Sequence, residues 1–209
     1  FAKNQDRENI RKTHQMAAKS LNCDEKKLKF VKQVHSNKVL VVSSNSTQFQ
    51  GPADGMVTDT KGATLAILSA DCAPVLFFDP VALVIGAAHA GWRGALNGIV
   101  ENTADAMLTL GATKENINVA IGPCIGRLNY EVKNDLRTRI MQKNEKNDEY
   151  FFQKSKNKFL FDLSGFLVGT LKIYGINSIS EVKRCTYEEK NNFHSYRRAK
   201  INGQANHLR

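Results

Sequence analysis

No CxxC pair occurs in the sequence: its four cysteines, Cys23, Cys72, Cys124 and Cys185, stand far apart. That excludes a short-spaced disulfide scaffold and fits a reduced, cytoplasmic chain. No apolar run approaches the ~18 residues that a membrane span needs, and nothing at the start resembles a signal peptide. A protein without a membrane partner is expected. No stretch rich in Pro, Gly or Ser divides the 209 residues, and no internal repeat is present, so a single domain over 1–209 is expected. Residue 1 is Phe rather than Met, and N-terminal strands are expected to be missing before it.

Charge of one sign is in excess. Thirty basic against twenty acidic side chains give +10, which raises a nucleic-acid partner. The Lys and Arg are scattered and no basic run is interleaved with aromatics, so a solvated Lys-rich surface is the better reading and nucleic acid is disfavoured.

Residues 6–21 carry Ile10, Thr13, Ala17 and Leu21 at helical spacing. Residues 31–42 read as two short strands around His35-Ser36-Asn37, and Gly51-Pro52-Ala53-Asp54-Gly55 as a turn cluster. Three continuous apolar runs, TLAILSA, PVLFFD and ALVIGAAHA, suit strands covered on both faces. Residues 95–110 predict one helix closed by Gly111, and 131–143 a second. Ile117 to Ile121 predicts a strand, 142–158 an exposed loop, a helix capped by Ser164 follows, and a strand lies near 179–182. The expected fold class is α/β (α+β): a layered sandwich of mixed β-sheets covered by helices, not a doubly wound sheet.

Three distant positions each close or follow a strand and carry a borderline-soft ligand: His35, Cys72 and His89. Together they would make a catalytic zinc site with an open fourth position. For any one of them the plain alternative is a packed core residue, as free cysteines usually are. The same atoms allow a Cys72–His89 thiol hydrolase, or a blue-copper centre with Met56 or Met107 as axial ligand. Five histidines are too few for a multicopper oxidase, so copper is disfavoured. Arg93 follows Gly91 and Trp92 at the start of the 95–110 helix, where an anion such as phosphate would be welcome. It could instead stack on Trp92. Arg197 and Arg198, beside Tyr196, read as a basic terminal strand or as a base- or phosphate-binding pair. Asp71 is a proton donor or a structural cap, Cys124 a small residue in a tight turn, and Asp54 and Asp59 turn formers.

The segments QVHS, PADGMVTD, SADCAPVLFFDP, AAHAGWRGALNGIVENT, AIGPCIG and CTYEE…FHSYRR resemble, in order and spacing, the laccase-domain family of YfiH-type purine nucleoside phosphorylases. The resemblance runs from about Asn9 to Arg198 and implies the family's YfiH-like cysteine hydrolase fold. It also implies a zinc-dependent enzyme that phosphorolyses adenosine, inosine, guanosine and methylthioadenosine and deaminates adenosine, with inorganic phosphate as co-substrate. Its metal triad falls on His35, Cys72 and His89. Arg93, Arg197 and Arg11 match its substrate-facing basic positions.

The implied catalytic set is Cys72, His89, Arg93 and Asp71, in a monomer or homodimer. Two departures bear on the pocket rim: Phe193-His194 stands where the family has an aromatic pair, and Gly203-Gln204 where it has Gly-Arg. Rival readings are a cysteine or metal hydrolase that edits peptidoglycan precursors and a non-catalytic nucleotide-binding module. Metal content and turnover separate the three.

Overall fold

The computed structural model describes residues 2–43 and 45–204. In chain order it holds α1 (Ala2–Ser20), β1 (Leu28–Lys32), β2 (Val39–Val41), β3 (Phe49–Pro52), β4 (Gly55–Thr58), β5 (Thr64–Leu65), β6 (Ala73–Asp79) and β7 (Val84–Ala90). Then come α2 (Trp92–Leu96), α3 (Ile99–Leu108), β8 (Asn118–Ile121), β9 (Glu131–Lys133), α4 (Asn134–Met141), β10 (Phe151–Ser155), β11 (Lys158–Phe161), α5 (Leu163–Tyr174), β12 (Ser178–Glu181) and α6 (Tyr196–Ile201).

The central sheet has the order β12-β8-β6-β7-β4-β2. Its outer pairs, β12 with β8 and β2 with β4, are parallel, and its inner pairs are antiparallel. This is the expected mixed α/β sheet. The hairpin of β6 and β7 is its axis. Buried Asp79 pins the connecting turn by accepting the N–H groups of Val81, Ala82 and Thr113 at 2.8–2.9 Å. One face of β7 packs on α3, where Ile99, Val100, Ala104 and Met107 are fully buried, the three larger side chains contributing about 1.5–3 kcal/mol each. Two three-stranded sheets, β3-β1-β5 and β10-β11-β9, flank the centre.

Several expectations are corrected. The run TLAILSA is not a core strand: only Thr64 and Leu65 pair, at the edge of β1, and Leu68 is exposed. The face of α1 that packs carries His14, stacked on Phe30 at 4.4 Å, and Ala18. Ile10 and Leu21 face solvent instead. The helix over 95–110 is two helices, starting at Trp92 and broken at Gly98, whose φ of +89° ends one and starts the next. Residues 131–133 are strand rather than helix. The end of the expected loop over 142–158 is the strand β10, which pairs with β11, and β11 in turn pairs with 131–133; Phe151, Phe159 and Phe161 pack together there. Asp162, not Ser164, caps α5. The basic tail is the helix α6, capped by Ser195, and not a strand.

Candidate metal centre

The register of the central hairpin builds two thirds of the site. Pro74 faces His89 and Ala73 faces Ala90, so Cys72, just before β6, comes up beside the end of β7. Alternation puts His89 on the face opposite Gly86 and Ala88, which look onto α3. His35 arrives from the loop between β1 and β2 in a left-handed conformation, φ 60°. The ligand atoms of His35, Cys72 and His89 all lie within 4.8 Å of one another. Cys72 Sγ is 3.9 Å from His35 Nε2, and the two imidazoles meet edge to face at 4.9 Å.

One side chain organises both histidines. Asp54, fully buried just before β4, accepts hydrogen bonds from the backbone N–H groups of Val34, His35 and Ser36, at 3.1, 2.9 and 2.6 Å, and from the Ser36 hydroxyl at 2.8 Å. Its Oδ1 also takes Nδ1 of His89 at 2.9 Å, and its carbonyl accepts the His89 N–H. The loop of His35 is thus wound around the carboxylate that orients His89. Burial alone would push the Asp54 carboxyl up; the bonds from His89, Ser36 and Val34 outweigh it and hold the group well below the usual carboxylate range.

The donor set fits a tetrahedral metal. With Nδ1 of His89 taken by Asp54, its Nε2 is the free ligand atom, the carboxylate–histidine arrangement that fixes ring tautomer and direction. Zinc bonds to sulfur and nitrogen imply a ligand separation of ~3.6 Å, close to the 3.9 Å between Cys72 and His35. Gly91 is required by approach rather than by conformation: its φ is an ordinary −78°, yet a Cβ there would lie 2.7 Å from Cys72 Sγ and 3.2 Å from the His35 ring. Burial, reinforced by the charges of Asp71 and Asp54, pushes the free Cys72 thiol up to about 12. A coordinating cation reverses that preference by stabilising the thiolate. His35 is held below its usual value by burial first, then by His89 and Arg93, against the pull of Asp54.

The other expected residues divide. Arg93, in the first turn of α2, is exposed beside His35; its guanidinium lies 4.9 Å from the Trp92 ring centroid, with no carboxylate in ion-pair reach among the described residues. Arg197 is already engaged: it donates to the Glu131 carbonyl at 3.0 Å and sits 5.5 Å from the Tyr130 ring centroid. Asp71 accepts from Thr186, Ser195 and the Arg197 N–H at 2.6–3.0 Å and so ties the start of α6 to the site. Arg11 is exposed on α1, 3.6 Å from Glu8. Met107 packs against Gly86, on the face of β7 away from His89. Cys124 is buried, as a small turn residue should be, and His194 and Gln204 are exposed.

Asp54, Gly91 and Tyr130 were not legible as site residues. Tyr130 precedes β9, and its phenol is pushed up by burial and by the neighbouring Cys72. Only the long-range pairing of β4 with β7 reveals Asp54, because it sets Gly55 against Ala88.

A mixed sheet flanked by helices, with a His2Cys cluster at the mouth of its central hairpin, defines the class. The chain belongs to the family described as multi-copper polyphenol oxidoreductase laccase, which it matches over residues 1–208. Among relatives, a purine nucleoside phosphorylase of Rickettsia conorii is 36% identical over 169 residues, 80% of this chain and 69% of that protein. The purine nucleoside phosphorylase YfiH of Escherichia coli is 34% identical over 175 residues, 84% of this chain and 70% of its own. Of solved structures, Bacillus licheniformis hypothetical protein YfiH superposes with a TM-score of 0.86 at 28% identity, covering 90% of this chain and 74% of that one. YlmD from Geobacillus stearothermophilus gives 0.77 at 30% identity over the same shares.

Proposed function

We propose that the chain is a zinc-dependent purine nucleoside phosphorylase for adenosine, inosine, guanosine and methylthioadenosine, with adenosine deamination as a second activity. One observation carries this reading: His35, Cys72 and His89 converge to within 4.8 Å, and the unpaired guanidinium of Arg93 stands beside them. Relatives bearing the name purine nucleoside phosphorylase support it. His35, Cys72 and His89 would hold the metal, which when bound would supply Lewis acidity to the site.

Asp54, bonded to Nδ1 of His89, fixes the direction of the ring and leaves Nε2 free to face the other two side chains. Arg93 holds inorganic phosphate through its forked N–H donors, so that a phosphate oxygen bonds to the anomeric carbon as the bond to the purine breaks. The electrons of the broken bond leave with the purine nitrogen, which takes up through solvent the proton that hydrogen phosphate gives up, while the fixed guanidinium holds the attacking phosphate in line. Tyr130 and Arg197 form a wall for the nucleoside, and Asp71 positions that wall by anchoring α6 rather than by moving a proton.

The test is chromatography of inosine and of adenosine incubated with the purified protein, with and without phosphate, beside Cys72→Ala and a zinc assay. Phosphate-dependent hypoxanthine from inosine and adenine from adenosine, both lost in Cys72→Ala, are expected. Inosine formed from adenosine without phosphate marks the deaminase activity. No turnover of either nucleoside by zinc-loaded protein would overturn the reading.

A further inference from the structure

The sheet does not set the direction of Cys72. The ladder between β6 and β7 starts one residue later, with Ala73 against Ala90, and residues 66–70 before it are irregular. Yet the sulfur has little latitude: a Cβ on Gly91 would lie 2.7 Å from it, so it rests against the backbone of the turn into α2. In such a place the residue before Cys72 aims its side chain.

That residue is strained. Asp71 has φ +89°, beyond the left-handed range of ~50–70° that an L-residue visits, and such a conformation persists only where its surroundings over-determine it. Here they do. The Asp71 carbonyl accepts the Ile125 N–H at 2.9 Å. On its buried carboxylate, Oδ1 accepts the Thr186 hydroxyl at 2.7 Å, and Oδ2 accepts the Ser195 hydroxyl at 3.0 Å and the Arg197 N–H at 2.6 Å. Both hydroxyl side chains are buried as well. Thr186 is itself fixed, because Cys185 bridges to Cys124 and the Thr186 N–H donates to the Cys124 carbonyl at 3.0 Å. A carboxylate that only docked this C-terminal segment could sit on relaxed backbone; the strain falls instead on the residue next to Cys72.

We infer that Thr186 and Ser195 are positioning residues for Cys72: through the Asp71 carboxylate they hold the left-handed turn that points the sulfur toward His35 and His89. The contacts that dock the C-terminal segment thereby shape the centre of the molecule. The metal reading of the three side chains decides only what the sulfur binds; its aim is a property of the chain alone.

Two readouts on the full chain test this. The first needs no metal: the rate at which iodoacetamide alkylates Cys72 in metal-free protein, followed by peptide mass spectrometry. The second is titration with cobalt(II) in place of zinc, whose thiolate charge-transfer band reports the sulfur and its geometry. Thr186→Val keeps the shape and removes the hydroxyl. It should alkylate several-fold faster, as a thiol released from a buried position does, and bind cobalt about 10-fold more weakly with a shifted band. Ser195→Ala should move both readouts the same way. Thr186→Ser, which keeps the donor, should match the parent. Ile140→Val, a loss of core packing on α4, should lower the melting temperature and change neither readout. The proposal is overturned if both hydroxyl variants keep the parent's alkylation rate and cobalt spectrum, or if Ile140→Val changes them as much. A parent that binds no cobalt would sink the metal reading, and the alkylation rates would then decide the role of Thr186 and Ser195 by themselves.

Discussion

Asp54 does the work of an outer ligand shell with a single side chain. Because its carboxylate binds the ring of His89 and three successive N–H groups around His35, losing its charge loosens two of the three side chains that could hold a metal. Asp54→Asn keeps the shape but gives up the charge and presents an N–H₂ to donors. Zinc affinity should fall about 10–100-fold, read by competition with a chromophoric chelator, while circular dichroism stays native. An unchanged zinc affinity would reduce Asp54 to a loop clamp. His35, Cys72 and His89 could be picked out in the sequence because each closes or follows a strand and carries a borderline-soft ligand, and the fold brings them together. Asp54 could not be, because in GPADG it carries the local signature of a turn, and only the pairing of distant strands turns that signature into a ligand-orienting contact.

At the scale of elements, periodicity found the helices and misplaced their joints. Residues 95–110 keep a helical apolar face across Asn97-Gly98, since α2 and α3 both pack on the same sheet, and that periodicity masked the turn signal of the Asn-Gly pair. Gly98 makes it, with φ at +89° and ordinary space around a hypothetical Cβ, nearest atoms 3.6–3.7 Å away. The cost of Gly98→Ala is therefore purely conformational, about 1–2 kcal/mol for a left-handed L-residue. A melting temperature lower by a few degrees is expected; an unchanged one would mean that the break has moved.

The hairpin of β10 and β11 was hidden by its charged residues. Lys158 and Lys154 reach across to Glu131 of β9 at 2.8 and 2.9 Å. Hydrogen bonds from Lys158, then Lys154, hold the Glu131 carboxyl down at about 2, below the usual 4.5 of a glutamate. A depressed carboxylate adds stability above its unfolded-state value, and that stability is lost as pH falls through the folded one. The melting difference between the parent and Glu131→Gln should be constant at neutral pH and close as pH drops from about 4.5 to about 2. A difference that persists at the acid end would assign it to packing instead.

For the whole molecule, the net charge of +10 is large enough to draw polyanions, and the question is whether it is focused. The terminal guanidiniums, the best candidates in the sequence, are committed elsewhere: Arg184 pairs with Glu189, Arg197 holds the Glu131 carbonyl, and Arg198 donates to the carbonyls of Thr186, Tyr187 and Phe193. Arg137 is bidentate to Asp148, and Lys154 and Lys158 share Glu131. What remains is a diffuse positive field, which attracts phosphates without reading them.

Fluorescence anisotropy of a labelled DNA duplex should therefore show weak binding, independent of sequence, that falls log-linearly with salt by counterion release. Binding should vanish at salt concentrations where the phosphorolysis proposed above continues, since that activity is expected to rest on local contacts rather than on the diffuse field. Tight binding that survives high salt would instead require a built nucleic-acid surface, and would make the purine pocket a secondary feature of the molecule.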